Sequence, residues 1–313
     1  MSRHKIALVG GGAIGSTIAL MTTQRVLGDV VMLDRPEYID PVHGKALDIL
    51  AVRPHFGFDV DLTSTSDYHM IEGADIVVVT AGVPRGPNMT REDVLAVNIK
   101  IIEEVAGKIK KHAPDAFVIL TTNPVDAIVH AFYKHSGMKK SQVVGLSGAL
   151  DTSRFKNFIS METGYSVKDV SCLVMGGHGP TMIPITRTAT VGGIPLRDLL
   201  SDERINYIVE RTRHAGTEIV NLLGNGSAYF SSASAIVEMM ESVIFDKKRV
   251  IASSALCEGE YGIDGHFIGV PCVLGSSGVE KIIEFKLTDD EQDMVDHTLQ
   301  SIKKTVEQAG IIE

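Results

Sequence analysis

The first half of the chain alternates short apolar runs with segments of helical periodicity, and this alternation constrains the fold more than any other feature. Each run is rich in β-branched residues and ends at Gly, Asp or Asn-Pro, which is typical of a strand buried on both faces. Repeated strand–helix–strand order predicts a doubly wound parallel sheet with helices on both faces, because each helix carries the chain back across the sheet. The predicted strands are Ile6–Val9, Val30–Leu33, Asp75–Thr80, Ala116–Leu120 and Val143–Leu146, and the predicted helices are Ala13–Gln24, Val42–Val52, Thr90–His112 and Pro124–His135.

The pattern changes after about residue 150. Helical and strand-like segments then follow without strict alternation, which indicates a second domain of mixed α+β type. There is no internal repeat and no long linker, so we expect two domains, residues 1–148 and 149–313, that meet at a packed junction. The predicted segments of the second domain are helical Asp151–Glu162, β-rich Val170–Val174 and Met182–Val191, helical Asp202–Leu223 and Ser231–Phe245, strand-like Arg249–Ala255 and Val270–Leu274, and helical Asp289–Gln308.

The charge balance restricts the partners of the protein. Its 313 residues include 30 Lys and Arg against 39 Asp and Glu, a formal net charge of −9. Nucleic acids and anionic membranes are bound mainly through excess positive charge, so we expect neither as a partner. No run approaches the roughly 20 apolar residues of a membrane-spanning helix, and the first apolar run is too short for a secretory signal. The three cysteines lack C-x-x-C spacing, which predicts neither disulfides nor a metal site and favours a cytoplasmic location.

A glycine-rich run stands directly between the first predicted strand and the first predicted helix. In the pattern G-x-G-x-x-G, the first glycine allows a tight turn, the second lets a diphosphate approach the backbone, and the third lets helix and strand pack closely. The diphosphate lies at the N-terminus of the helix, where free N–H groups and the helix dipole attract it. The run, which predicts a dinucleotide site, consists of Gly10, Gly11, Gly12, Ala13, Ile14 and Gly15.

Asp34 indicates which dinucleotide is bound. It ends the second predicted strand, 19 residues after Gly15. A carboxylate at this position hydrogen-bonds the 2′-hydroxyl of the adenine ribose and repels a 2′-phosphate, so the pattern predicts NAD as the cofactor. The neighbouring Arg35 is able to pair with a 2′-phosphate, which leaves use of NADP open.

Two arginines, Arg85 and Arg91, lie in the segment that follows the strand Asp75–Thr80, together with two glycines and two prolines. Open α/β sheets bind ligands at the carboxyl ends of their strands, where this segment begins. We interpret Ala81–Asp93 as a lid that brings guanidinium groups to an anion, since guanidinium pairs with carboxylate through two hydrogen bonds. Arginines on a solvated loop are the alternative interpretation.

Polar residues follow two further strands at the same predicted edge. Thr121-Thr122-Asn123-Pro124 ends one strand and directs an amide toward the crevice. Asp151 and Arg154 stand three residues apart on the first turn of a predicted helix, so their side chains share one face. This spacing predicts a carboxylate and a guanidinium close to the ligand.

His178 lies in the glycine-rich run Met175–Pro180. Imidazole takes up or releases a proton near neutral pH, and neighbouring glycines give substrate and cofactor close access to it. The alternative is a histidine without a chemical role, as most of the 11 histidines of this chain must be. Together with the charged residues at the other strand ends, the glycine context favours a general acid or base.

In the order and spacing of these motifs the chain resembles the lactate/malate dehydrogenase family over nearly its whole length. The resemblance implies reversible, NAD-dependent oxidation of (S)-malate to oxaloacetate, a reaction of the tricarboxylic acid cycle, and a homo-oligomer, either a dimer or a tetramer. It rests on Lys5–Gly15, Ala81–Asp93, Thr122–Pro124, Leu150–Phe155, the Gly-Gly-His-Gly run, Gly226–Ala228 and Val270–Thr288.

The resemblance also implies roles for individual residues. His178 would be the general base in malate oxidation and the acid in the reverse direction, oriented by Asp151. Arg154 would bind the C1 carboxylate, and Arg91 would polarise the reacting carbonyl when the lid closes. Asn123 would hydrogen-bond the substrate oxygen. The residues implied at the cofactor besides the glycine run and Asp34 are Asn98, Thr121, Thr122 and Asn123.

Arg85 stands where the family distinguishes dicarboxylate from monocarboxylate substrates. An arginine there pairs with the distal carboxylate of oxaloacetate, whereas lactate dehydrogenases carry glutamine. With pyruvate the buried guanidinium would lack a partner, which is costly. Lactate or another 2-hydroxy acid is the alternative substrate, and a non-catalytic NAD-binding protein on the same fold is the alternative from a different class.

Pro180 and the helix Val42–Val52 each allow more than one interpretation. Pro180 stands two places after His178, where the family usually has an acidic residue; it stiffens the loop, but we expect catalysis to survive. The helix Val42–Val52 is a candidate contact between subunits, although its apolar Ala46, Ile49 and Leu50 would equally fit against the protein's own sheet.

Overall fold

A computed structural model of the protein describes residues 3–83, 90–224 and 226–311, without the side chain of Arg91. The strands are β1 (Lys5–Val9), β2 (Asp29–Leu33), β3 (Leu62–Thr65), β4 (Ile76–Val79), β5 (Phe117–Leu120), β6 (Val143–Gly145), β7 (Val170–Ser171), β8 (Val174–Gly176), β9 (Met182–Pro184), β10 (Thr190–Val191), β11 (Ile194–Pro195), β12 (Arg249–Glu258), β13 (Asp264–Gly275) and β14 (Gly278–Ile282).

The helices cover the faces of the sheet. Their bounds are α1 (Ala13–Gln24), α2 (Ile39–Leu50), α3 (Arg53–Phe56), α4 (Arg91–His112), α5 (Val125–Ser136), α6 (Gly148–Thr163), α7 (Leu196–Leu199), α8 (Asp202–Leu223), α9 (Phe230–Ile244) and α10 (Asp289–Gln308). Among the described ranges, none of these helices combines the length and the apolar character needed to cross a bilayer.

Six parallel strands form the first half of the main sheet, in the order β3-β2-β1-β4-β5-β6. All residues of β4 and β5 are buried, because helices pack on both faces of these strands. The predicted α/β class with a parallel sheet is therefore confirmed. The strand order reverses between β1 and β4, and such a reversal opens a crevice at the carboxyl ends of the two strands.

The sheet continues into the second half of the chain. β12 lies antiparallel to β6, with Ser254 opposite Gly145, and β13, β8 and β9 follow across the sheet. Because β6 and β12 are neighbours in one sheet, the two halves share a hydrogen-bonded junction as well as side-chain packing. A smaller apolar core, which includes Phe155, Ile159 and Ile208, lies between α6, α8 and the small sheet β11-β10-β7.

The β-rich region of the second half differs from the sequence prediction. Val170–Val174 is two short strands in different sheets, and the run Met182–Val191 is broken by a 3₁₀ turn over Thr186–Thr188. Pro184 lacks the N–H that would continue the ladder, and the chain passes from the main sheet to the small one at this point. Three strands were not predicted, β3, β11 and β14; β11 has only two residues, and β3 and β14 are short and carry polar residues.

Helix α2 turns most of its apolar residues toward the protein's own core. Val42, Ala46 and Ile49 are buried, and Leu50 packs against the same core. Leu47, in contrast, is 55% exposed. The sequence alone left these two orientations open.

Candidate active site

The glycine turn between β1 and α1 is as compact as the motif predicts. Gly10 has φ +113°, a conformation that residues with a side chain rarely adopt. A Cβ on Gly15 would lie 2.0 Å from the carbonyl oxygen of Gly10, so a side chain there would force the helix away from the strand. The Thr80 hydroxyl, which donates to the same oxygen at 2.9 Å, ties the turn to the end of β4.

The middle glycine faces open space. A Cβ on Gly12 would meet no atom of the described residues within 4 Å, and no side chain caps the N-terminus of α1 there. Free N–H groups at a helix N-terminus, without a Cβ in front of them, form a cradle that fits a diphosphate. The turn therefore fits the diphosphate of NAD.

Asp34 is held against this turn. Its Oδ2 accepts a hydrogen bond from the Gly11 N–H at 2.7 Å, and its Oδ1 accepts from the Arg35 N–H at 2.9 Å. A carboxylate oxygen has further lone pairs, so a ribose hydroxyl can still donate to it. The Arg35 guanidinium points elsewhere: it lies 3.3 Å from Glu37 and 4.8 Å from the centre of the Tyr38 ring.

Asn98 and Thr122 join the two loops that border the crevice. The buried Asn98 side chain accepts from the Val83 N–H at 2.8 Å and donates to the Asn123 carbonyl at 3.1 Å. The Thr122 hydroxyl donates to the Ala81 carbonyl at 2.6 Å. In the protein alone these two side chains thus support the loop backbones, and their predicted contact with the cofactor stays a prediction.

A cavity of about 350 Å³ lies at the carboxyl edge of the sheet. It brings together residues from the loop after β5, the start of α6, the turn after β8, α8 and the segment before α9. The predicted site residues that line it are Ile14, Thr121, Asn123, Asp151, Arg154 and His178; Pro180, Ser227 and Ala228 line it too.

His178 and Asp151 form a hydrogen-bonded pair in this cavity. His178 Nδ1 lies 2.8 Å from Asp151 Oδ2, and the Asp151 side chain is 1% exposed. A carboxylate only accepts, so Nδ1 carries the proton and donates it, which leaves the Nε2 lone pair free in the neutral imidazole. Burial lowers the pKa of His178, but the charge and hydrogen bond of Asp151 outweigh burial and raise it above its ordinary value. The pair has the arrangement of a general base and its orienting group.

Arg154 presents an incompletely paired cation to the same cavity. Its side chain is 10% exposed, and its one ion-pair contact within the described ranges is Nη1 to Asp151 Oδ1 at 3.5 Å. Its buried Nε has no hydrogen-bond partner there. Burial lowers the pKa of this guanidinium, which Asp151 partly offsets. A buried guanidinium with free N–H groups is suited to bind a carboxylate.

Asp126 and Ser254 belong to this site, although the sequence analysis did not find them. Asp126 Oδ2 accepts from the backbone N–H of His178 at 3.3 Å, and Oδ1 accepts from the Ser254 hydroxyl at 2.7 Å. Burial raises the pKa of the Asp126 carboxyl to about 6, although these two hydrogen bonds lower it. Asp126 stands three residues after Asn123 at the start of α5, and this spacing was a usable signal. For Ser254 on β12 the sequence contains no such signal.

The predicted lid with its two arginines belongs to a segment that the structure describes only in part. Arg85 lies outside the described residues, and Arg91 begins α4 with its side chain outside the description. Their predicted contacts with substrate therefore stay predictions. The helix that follows is well defined, because Thr90 and Asp93 cap its N-terminus reciprocally.

Two family models match nearly the whole chain. The lactate/malate dehydrogenase NAD binding domain matches residues 4–145, and the lactate/malate dehydrogenase alpha/beta C-terminal domain matches residues 148–311.

Individual proteins of known name are similar throughout. A malate dehydrogenase from Bacillus pumilus is 47% identical over 304 residues, 97% of either chain. The crystal structure of a malate dehydrogenase from Cryptosporidium parvum superposes with a TM-score of 0.95 at 41% identity, over 99% of this chain and all of that one. A lactate dehydrogenase from the same organism, in complex with lactic acid and NAD, gives a TM-score of 0.95 at 40% identity over the full length of both chains.

Proposed function

The chain belongs to the lactate/malate dehydrogenase family and is an NAD-dependent oxidoreductase that interconverts malate and oxaloacetate, and we propose that His178 is its general acid and base. The observation that carries this proposal is the 2.8 Å contact between His178 Nδ1 and the buried Asp151. It leaves Nε2 free to accept the hydroxyl proton of malate. Bound NAD supplies the hydride acceptor, and in the reverse direction the hydride donor.

Two carboxylates set the proton affinity of His178. Asp151 holds the tautomer and stabilises the imidazolium, and Asp126 holds the backbone of the His178 loop. The charge of Asp126 also raises the pKa of His178, by less than that of Asp151. We therefore assign Asp126 as a positioning residue rather than a group that touches substrate.

The substrate is bound by arginines in this proposal. The burial of Arg154 supports its role at the C1 carboxylate, as does its Nε, which has no hydrogen-bond partner among the described residues. Arg91 polarises the reacting carbonyl, and Asn123, which lines the cavity, hydrogen-bonds the substrate oxygen. Arg85 pairs with the second carboxylate of oxaloacetate. The three arginines together place three positive charges against two negative ones, which suits a dicarboxylate.

The cofactor contacts follow the glycine turn. Gly10–Gly15 receives the diphosphate of NAD at the N-terminus of α1, and Asp34 accepts from the adenine ribose. Asn98, Thr121, Thr122 and Asn123 border the nicotinamide side. The open space in front of Gly12 and the hydrogen bond from Gly11 to Asp34 support this arrangement.

Lactate is the alternative substrate, and similarity to solved structures does not separate the two. Structures of a malate and a lactate dehydrogenase have the same TM-score with this chain, at 41% and 40% identity. Specificity in this proposal therefore depends on single residues, and above all on Arg85.

Initial rates of NADH oxidation with oxaloacetate and with pyruvate at equal concentration, repeated with NADPH, test the proposal. We expect a strong preference for oxaloacetate and NADH, which would support Arg85 as the selecting residue and Asp34 as the ribose contact. A preference for pyruvate would show that the enzyme is a lactate dehydrogenase and that the lid residues are misassigned. No rate with either would overturn the catalytic roles and favour a binding function.

We also propose the division into residues 1–148 and 149–313, a cytoplasmic location and assembly as a homo-oligomer. The two family models meet between residues 145 and 148, which supports the boundary. The exposed Leu47 on α2 supports a contact between subunits. Light scattering after size exclusion measures the mass in solution, and a mass equal to the 33.7 kDa of one chain would contradict assembly.

A further inference from the structure

A cluster of two histidines and a glutamate lies at the amino edge of the parallel sheet, opposite the active site. His69 is in the 3₁₀ helix Tyr68–Ile71, and Glu72 directly follows this helix. His112 is the last residue of α4. The Lys5 ammonium donates to the Glu72 carbonyl at 2.8 Å and ties this segment to the start of β1.

The three side chains converge on one point. The Nδ1 atoms of His69 and His112 lie 2.9 and 3.1 Å from the same oxygen of Glu72, Oε1. The ligand atoms of the three side chains all lie within 4.8 Å of one another. The two imidazole rings meet edge to face, with 4.5 Å between their centres. Both rings therefore present a nitrogen to one carboxylate from different directions.

We propose that His69, Glu72 and His112 bind a divalent transition metal ion of the zinc class. Zinc takes imidazole nitrogen and carboxylate oxygen at about 2.0–2.2 Å in a tetrahedron, whose neighbouring ligand atoms are about 3.4 Å apart. The two nitrogen-to-oxygen distances are a few tenths of an ångström shorter, so a small outward movement of the side chains admits the ion. Each ligating Nδ1 must be unprotonated, so its proton moves to Nε2 or is released.

The burial of the three ligands suits such a site. The His112 side chain is 7% exposed, whereas those of His69 and Glu72 are 65% and 58% exposed. One ligand is thus held by packing, and the two others line an open face through which an ion enters and on which water completes its coordination. Two imidazoles favour zinc and its neighbours over magnesium and calcium, which prefer oxygen ligands alone.

This site differs from the active site in place and in composition. None of its three ligands lines the cavity of His178. Nearby cations oppose the binding of a metal ion: besides Lys5, the Lys108 ammonium lies 4.9 Å from the centre of the Tyr68 ring. With three ligands and this charge, we expect weaker binding than at a structural site with four ligands.

Calorimetric titration of the metal-free full chain with zinc chloride tests the proposal, with H69Q, H112Q and E72Q beside the parent. We expect one zinc per chain, with an affinity about tenfold or more lower in each variant, and no binding of magnesium. The matched control is H135Q, since His135 Nε2 lies 3.1 Å from Glu103 Oε1 in a pair that no second imidazole joins among the described residues. This variant should bind zinc like the parent.

Cobalt absorption spectra report the ligands directly. Cobalt bound to the parent should show visible bands that are lost in H69Q. H69Q is also the variant that keeps the test decisive if substitution of the buried His112 prevents folding, because His69 is largely exposed. Zinc affinity unchanged in H69Q would place the ion elsewhere, such as at His178 or a cysteine, and would overturn the proposal. So would the absence of any binding. Malate oxidation in zinc-free buffer should be unchanged in H69Q.

Discussion

The Gly10–Gly15 turn and the cavity around His178 are built on opposite principles. The turn uses six consecutive residues, and its decisive groups are backbone atoms, such as the Gly10 carbonyl that leaves no room for a Cβ on Gly15. The cavity uses side chains from distant segments, with Asp126 and Asp151 both bonded to His178. Shape and N–H groups suffice to hold a diphosphate, whereas proton transfer requires charged groups that burial forces to interact.

Substitutions in the turn and in the cavity should therefore have different effects. Substitutions in the turn should affect cofactor binding and folding, because an added side chain overlaps with neighbouring atoms or with the cofactor. Substitutions in the cavity should affect rate, specificity and pH dependence, because they change the charges around His178. A substitution that does both would show that the two regions are one unit.

Asp151→Asn has the largest expected effect. The amide of Asn can donate to Nδ1, which favours the tautomer with its proton on Nε2, and that tautomer cannot accept the proton of malate. We expect kcat/KM for malate oxidation to fall about 10³–10⁴-fold, as when the orienting carboxylate of a histidine base is lost. Binding of NADH, measured by fluorescence, should be unchanged; loss of that binding would contradict the separation of turn and cavity.

Arg85→Gln should act on specificity. The second carboxylate of oxaloacetate loses its partner, so kcat/KM for oxaloacetate should fall by an amount equivalent to ~2–4 kcal/mol of transition-state stabilisation. The rate with pyruvate should not fall in parallel. Steady-state kinetics with both substrates gives the ratio. An unchanged ratio would show that Arg85 does not select the substrate.

Gly15→Ala should act on folding. The new Cβ would lie 2.0 Å from the Gly10 carbonyl, and relief of this overlap should lower the free energy of unfolding by ~1–3 kcal/mol. Gly107→Ala, inside α4 with no described atom near its Cβ, is the control and should be neutral or stabilising. Denaturant unfolding of the two variants measures the difference, and equal stabilities would mean that the turn tolerates a side chain.

Gly12→Ala separates the cofactor role of the turn from its role in folding. Its Cβ meets no described atom, so stability should stay within ~0.5 kcal/mol of the parent. The same methyl group occupies the space proposed for the diphosphate, so KM for NADH should rise about tenfold, as for one or two hydrogen bonds lost. A normal KM for NADH would rule out the diphosphate position.

Asp126→Asn should have the smallest effect on rate and a distinct effect on pH dependence. Malate oxidation needs neutral His178, so its kcat/KM declines as the pH falls through the raised pKa of His178. Oxaloacetate reduction needs the protonated form and declines as the pH rises through it. Removing the Asp126 charge lowers the pKa of His178, so both limbs should move to lower pH. A variant with a lower rate but unmoved limbs would reduce Asp126 to a structural support.

Local patterns predicted the first half of the fold well. Helix α1 has the predicted bounds, and the strands β1, β2, β4, β5 and β6 lie within about one residue of theirs at most ends. Strands that are buried on both faces are continuous apolar runs and their helices are periodic, and nearby residues determine both patterns. The edge strand β3, with the sequence Leu-Thr-Ser-Thr, has no such signal, and its pairing with β2 is set by the neighbouring strand.

By itself the sequence determined the parallel sheet, the glycine turn and, through the resemblance, the candidate roles of His178, Asp151 and Arg154. These features depend on short spacings. Only the tertiary structure decided which side chains meet across the chain. Ser254 reaches Asp126 over 128 positions, and His112 reaches Glu72 over 40. A hydrogen bond or a ligand set depends on a few ångströms between elements, and no local pattern in the sequence carries that distance.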